Sequence, residues 1–315
     1  MTQRSLILTL MAPRLTADTF TDVDGLIAKH RLSIEQKKWL AGRESLEGGM
    51  PPHGACIEYR LQDGDIGSDI EALREQALSL GDALGVDIVI QEDSRWRHRR
   101  RLVCFDMDST LIQAEVIDEL ARRHGVYEEV AAVTERAMRG ELDFKQSFRE
   151  RMAKLEGLDE AVLVEIAETL PLMDGVERLM KHLKRLEYRT VILSGGFSYF
   201  ARYLQDRLGF DETHANELVI EKGRVTGAVQ EPVVDAQRKA LLLRNIAERE
   251  GLHLEQTVAV GDGANDLKML GVAGLGIAYR AKPLVRRKAP QSVSTLGLDA
   301  VLYLLGHRQD EIERD

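Results

Sequence analysis

The stretch 101–121, RLVCFDMDSTLIQAEVIDELA, decides how the chain is read. An apolar run from Leu102 to Phe105 delivers two aspartates, Asp106 and Asp108, and then returns at once to apolar residues. A carboxylate beside a buried strand costs free energy unless a cation or a metal ion pairs with it. Two of them, one residue apart where the chain leaves a sheet, therefore point to chemistry. Singly, an aspartate after a strand is a turn former or a helix cap. The rest of the chain argues against that reading here.

From Leu102 onward, short apolar runs rich in β-branched residues recur in LVCFD, RTVILSGG, TVAVGDG and GLGIAY. Strands buried on both faces read this way. Helical stretches separate them at 175–186, 198–208, 235–250 and 265–273. The alternation predicts an α/β fold, a Rossmann-like parallel sheet with helices on both sides and its functional groups at the carboxyl ends of the strands. A charged helical segment at about 115–170 is too long for a simple crossover and reads as an inserted helical cap. LVIEKGRVTGAV carries a hairpin signal around Lys222 and Gly223.

The first 95 residues differ in pattern. SLILTLMA, GACIEYRL and VDIVIQE read as strands, and SDIEALREQALSLG as an amphipathic helix ending at Gly81. FTDVDGLIAKHRLSIEQKKWLAGRE reads as an interrupted helix. Residues 1–95 are thus expected to form a small α+β domain without a catalytic constellation. Residues 96–101 form the linker, and 102–315 form the domain that carries the chemistry. The basic run RWRHRRR at that joint reads as a solvated segment or a rim that pairs with an acidic neighbour.

Composition narrows the function classes. The 315 residues are 44% hydrophobic and 30% charged, as in an ordinary globular protein, and the net charge of −9 argues against a general nucleic-acid binder. Two cysteines, Cys56 and Cys104, exclude a disulfide scaffold and suit buried free thiols in a reducing compartment. The apolar start ends at Pro13 and Arg14, too early for a signal peptide, and no run approaches a membrane span. A cytoplasmic protein is expected. A P-loop kinase is disfavoured, since no GxxxxGK[ST] sequence occurs.

The second strand ends in Ser194-Gly195-Gly196 and the third in GDGANDLKML, which carries Asp262, Asn265 and Asp266; Lys239 opens a helix just upstream. Any one of these is unremarkable as a cap, a turn or a solvated lysine. Their joint placement at one edge of a parallel sheet is not. DMDST, the Ser194-Gly195 pair, Lys239 and GDGANDLKML together resemble the haloacid-dehalogenase superfamily over about two-thirds of the chain. Glu115, AMRGELDFKQSFRERM and LSGGF resemble, more closely, the bacterial phosphoserine phosphatase family of serine biosynthesis. The N-terminal module then resembles an ACT-like domain.

The resemblance implies hydrolysis of O-phospho-L-serine, the last step of serine biosynthesis, through an aspartyl-phosphate, with Mg²⁺ as cofactor. Asp106 is the expected nucleophile and Asp108 the acid and base. Asp106, Asp262 and the Asp108 main chain are the expected metal ligands. Ser194, Gly195, Lys239 and Asn265 are expected to hold the phosphoryl group, with Asp266 orienting Lys239 or a metal-bound water. Glu115 is placed near the substrate ammonium and Arg151, with Arg149 as its alternative, near the carboxylate; Met138 and Phe144 form an apolar lid. The expected partner is the small-molecule substrate, without nucleic acid or membrane, and a homodimer is admitted. The alternatives are a related phosphatase or phosphotransferase acting on another small phosphomonoester, or a non-catalytic amino-acid sensor. The intact Asp106/Asp108 pair counts against the sensor.

Overall fold

The structure, a computed structural model, describes residues 5–63 and 69–313. Ser68, the first residue of the helix predicted after the second N-terminal strand, lies outside them, as do the ends of the predicted 1–95 and 102–315 segments. The N-terminal part runs β1 (Ser5–Ala12), α1 (Ala17–Lys29), β2 (Leu32–Ala41), β3 (Ala55–Asp63), α2 (Ile70–Leu84) and β4 (Asp87–Glu92). Its strands pair antiparallel in the order β2-β3-β1-β4, the split βαβ arrangement expected of an ACT-like domain.

Two local readings are corrected here. The stretch taken as an interrupted helix contains β2, an edge strand whose residues from Ser33 to Lys38 are all exposed, so no alternation of apolar residues marks it. Helix α2 does not stop at Gly81. It continues to Leu84 and ends on Gly85 at φ 67°. Gly81 lies inside the helix, where a Cβ would stand 2.6 Å from the Val86 carbonyl oxygen, so the glycine serves close packing of α2 on the chain entering β4.

The second part begins with β5 (Leu102–Phe105) and continues through four helices, α3 (Val116–His124), α4 (Tyr127–Met138), α5 (Phe144–Lys154) and α6 (Ala161–Thr169). It then returns through α7 (Val176–Arg185), β6 (Arg189–Phe197), α8 (Ser198–Leu208) and β7 (Glu212–Asn216). The hairpin β8 (Leu218–Glu221) and β9 (Arg224–Val229) follows, then α9 (Ala236–Arg249), β10 (Thr257–Gly261), α10 (Leu267–Val272), β11 (Leu275–Tyr279), α11 (Pro283–Lys288) and β12 (Gln291–Val293). All neighbours in the six-stranded sheet β12-β11-β10-β5-β6-β7 are parallel. The four central strands are buried along almost their whole length, as their continuous apolar sequences require.

The helices α3–α6 form the predicted cap. Its outgoing and returning chains pair at Ile112 and Leu172. The hairpin is bonded to it as well, because Gly157 donates to Val225 O, Val225 to Leu158 O and Glu160 to Gly223 O. Cap and hairpin are therefore joined by main-chain hydrogen bonds.

The two parts share one interior. Met11, Leu40, Cys56 and Val89 pack in the same apolar cluster as Phe105 and Tyr303. Both Ile90 main-chain groups on the outer edge of β4 are bonded by the Gln291 side-chain amide, so a side chain stands where a strand would pair. Buried Asp87 accepts from Ser294 N, Thr295 N and Thr295 Oγ1. In the basic joint Arg95, His98, Arg99 and Arg101 are exposed as expected, whereas Arg97 is 1% exposed and pairs with Glu58, and buried Arg100 donates to Gln91. Cys56 and Cys104 are buried free thiols. No helix among the described residues is long and apolar enough to cross a membrane.

Candidate active site

Parallel strands place their carboxyl ends on one side, and β5, β6 and β10 end in Asp106, the Ser194–Gly196 bulge and Asp262. These ends and the cap enclose a cavity of about 190 Å³ lined by Asp106, Asp108, Glu115, Phe144, Arg151, Gly195, Asp262 and Asn265. Ile117, Phe148, Gly196, Phe197 and Gly263 complete the wall. Gly196, Phe197, Gly263 and Phe148 lie within the motifs quoted from the sequence but take no role of their own there, and Ile117 carries no signal; none of the five has an ionisable group.

After β5 the chain turns tightly, with Thr110, Leu111 and Ile112 all donating to the Met107 carbonyl and Ser109 at φ 55°. The turn separates the two aspartates by task. Asp106 Oδ1 accepts from Met107 N at 2.8 Å and lies 2.7 Å from Lys239 Nζ, whereas Oδ2 accepts no hydrogen bond among the described residues. Asp108 Oδ1 accepts from Val116 N at the start of the cap. Burial, then the nearby Glu115 carboxylate, pushes Asp108 up to about 8, which favours its protonated form. Glu115 accepts from Ser109 Oγ at 2.7 Å, and its own affinity for a proton is raised by burial.

Lys239 is fully buried from the first turn of α9, whose N-terminus is capped by the Asp235 side chain. Burial would lower its ammonium, but Asp106 and Asp266, each 2.7 Å away, outweigh that and keep it charged. Both oxygens of Asp266 are engaged, one on Lys239 and the other accepting from Gly263 N. Asp262 accepts from Thr110 Oγ1, and burial together with Asp266 pushes it up to about 7. Oxygen atoms of Asp106, Asp262 and Asp266 lie within 4.8 Å of one another, a set of hard donors that could hold a metal ion. Both Asp266 oxygens have partners within the protein, whereas Asp106 and Asp262 each keep Oδ2 for it.

Ser194 Oγ accepts from Gly196 N at 2.9 Å, which leaves its hydroxyl proton to donate elsewhere. Phe144 and Phe148 stack in parallel on α5, and Phe148 leans on Phe197 of β6, joining cap to core through aromatic contact. Half-buried Arg151 lines the cavity, and the burial of its guanidinium depresses its pKa. Arg149, its alternative, pairs outside the cavity with Glu231. Met138 is the residue the structure does not bring to the site. It closes α4 with 70% of its surface exposed and lines no part of the cavity, because α4 turns that position outward.

The sequence profile of the haloacid dehalogenase-like hydrolases matches residues 100–274. A phosphoserine phosphatase of Streptomyces coelicolor is 48% identical over 247 residues, covering 78% of this chain and 60% of that protein's own length. A phosphoserine phosphatase of Vibrio cholerae is 41% identical over 291 residues, covering 92% of this chain and 82% of the relative. The crystal structure of a probable phosphoserine phosphatase from Vibrio cholerae, in unliganded form, superposes with a TM-score of 0.73 at 39% identity, over 96% of this chain and 86% of that one. The chain is a member of the haloacid dehalogenase-like hydrolases, within the phosphoserine phosphatase family.

Proposed function

We propose that the chain hydrolyses O-phospho-L-serine to L-serine and inorganic phosphate through an aspartyl-phosphate on Asp106. The observation that carries this reading is a cavity in which Glu115 and Arg151, groups of opposite charge from the cap, face the Asp106/Asp108 pair. A substrate with a phosphate, an ammonium and a carboxylate on one small frame matches that pattern of charges.

Asp106 Oδ2 attacks phosphorus, while Lys239 on the other oxygen offsets the negative field that otherwise repels an anionic nucleophile. Asp108, whose burial favours the protonated form, gives its proton to the departing serine oxygen. As a carboxylate it then takes a proton from the water that cleaves the acyl phosphate. Ser194, the Gly195 amide and Asn265 hold the phosphoryl oxygens, and Asp266 keeps Lys239 in place. Asp106, Asp262 and the Asp108 main chain, all oxygen donors, would hold Mg²⁺, which would supply charge neutralisation at the phosphoryl oxygens. Phe144 closes the apolar side of the substrate.

The test compares phosphoserine with p-nitrophenyl phosphate, which lacks the amino-acid group. Glu115→Gln and Arg151→Ala each remove one charge-assisted bond, worth about 1.5–3 kcal/mol, or roughly ten- to a hundredfold in kcat/KM. That loss is expected for phosphoserine and nearly none for p-nitrophenyl phosphate. Equal losses on both substrates would return the assignment to an unspecified small phosphomonoester.

A further inference from the structure

The site rests on a residue that no motif marks. Along β6 and β7, Leu193 faces His214 and Phe197 faces Asn216, so four steps on one strand meet two on the other. The surplus is the bulge that pushes Ser194, Gly195 and Gly196 out of the sheet. Asn216 ends β7 beside it, 3% exposed. Its Nδ2 donates to the Gly195 carbonyl at 2.9 Å and its Oδ1 accepts from Val234 N at 2.8 Å. A carbonyl only accepts and an amide N–H only donates, so the side chain has a single orientation.

We infer that Asn216 is a positioning residue that sets the direction of the Gly195–Gly196 peptide, and through it the Ser194 hydroxyl beside the Gly195 amide, and ties the bulge to the helix bearing Lys239. This rests on the phosphatase reading of the site. The Gly195 carbonyl and Gly196 N–H belong to one planar trans peptide and point opposite ways. With the carbonyl held by Asn216, the N–H reaches Ser194 Oγ and leaves that hydroxyl free to donate. Between two glycines a peptide turns over with little steric cost. Released, it presents a carbonyl oxygen to Ser194 Oγ, whose proton then goes to that oxygen instead of to a phosphoryl oxygen. The second bond fixes Val234 one residue before Asp235, the cap of α9, and so couples the bulge to the start of that helix.

Asn216→Asp keeps the shape and the acceptor for Val234 but cannot donate to Gly195; Asn216→Ser shortens both reaches. Read with p-nitrophenyl phosphate, kcat should fall roughly 30- to 300-fold, and the inhibition constant of inorganic phosphate should rise about tenfold, by the loss of one aligned donor set. A merely structural role would lower the melting temperature and leave phosphate affinity of the folded fraction intact. A folded variant with kcat and phosphate inhibition within threefold of wild type overturns the inference. If neither variant folds, the wild-type chain decides by hydrogen exchange: a Val234 amide no slower than exposed loop amides, or one whose protection inorganic phosphate leaves unchanged, overturns it, and one that phosphate protects further upholds it. A chain that cleaves p-nitrophenyl phosphate but not phosphoserine refutes the substrate reading and leaves this test standing.

Discussion

Gly196→Ala asks how tightly the proton carrier is held. A Cβ at Gly196 would lie 2.5 Å from Asp108 Oδ2, 2.9 Å from Met107 Cε and 3.2 Å from Ser194 Oγ. Ordinary contact begins at 3.4 Å, so the Asp108 oxygen must retreat by 3.4 − 2.5, about 0.9 Å. Met107 can swing its terminal methyl aside, but Asp108 is tethered through its other oxygen to Val116 N and can only rotate out of line. A displacement near 1 Å costs on the order of a hundredfold in rate, or about 2.7 kcal/mol of barrier. Overpacking costs about 1–3 kcal/mol of stability, which a chain of this size survives. The assay is phosphate release from phosphoserine at saturation, with circular dichroism confirming the fold. Stopped-flow with p-nitrophenyl phosphate adds a second reading, because nitrophenolate leaves without much help from a proton. The variant should release about one equivalent quickly and then turn over slowly, since cleavage of the aspartyl-phosphate still needs Asp108. A folded variant with kcat within threefold of wild type on phosphoserine would refute the reasoning.

Two further outcomes are expected. Chelator should abolish phosphate release and Mg²⁺ should restore it, with Ca²⁺ a poor substitute because its looser coordination misplaces the Asp106 carboxylate; full turnover in exhaustive chelator would contradict the metal reading. Acid should destabilise the fold through His182, which is buried, accepts from Arg185 at 3.1 Å and is held down to about 4 by burial and then by Arg185. Its proton binds more readily in the unfolded chain, so its contribution is complete above about pH 6.5 and is lost as pH falls toward 4. The melting temperature should drop about 2–4 °C more for wild type than for His182→Gln between pH 7 and pH 5, and parallel curves would disprove the assignment.

The parallel sheet was legible because its central strands are buried on both faces, which leaves unbroken runs such as LVCF and TVAVG. The edges were not. β2 and β7 are exposed or half-exposed, β12 is three residues long, and none carries a repeating apolar pattern. Gly81 misled because glycine serves close approach as well as helix ends. Charge counting could not show that Arg97 would be buried against Glu58, since that depends on which surfaces meet. In the site, the residues carried by strand ends converge because topology alone brings them together. Met138 failed because its position depends on how one cap helix is rotated. Asn216 was invisible for the opposite reason: a lone asparagine at the end of an edge strand looks like any turn residue until its two main-chain partners are seen.

The bond between Gln291 and Ile90 spans 201 positions of sequence. During synthesis, at about 5–20 residues per second, β4 therefore waits roughly 10–40 s for the group that covers its outer edge. Over that interval the nascent chain carries an unpaired strand border with Ile88 and Ile90 on it, the feature from which edge-to-edge association starts. A ribosome stalled before Gln291 emerges would hold the chain in this state, and a holdase that binds extended backbone would find its target at 87–92.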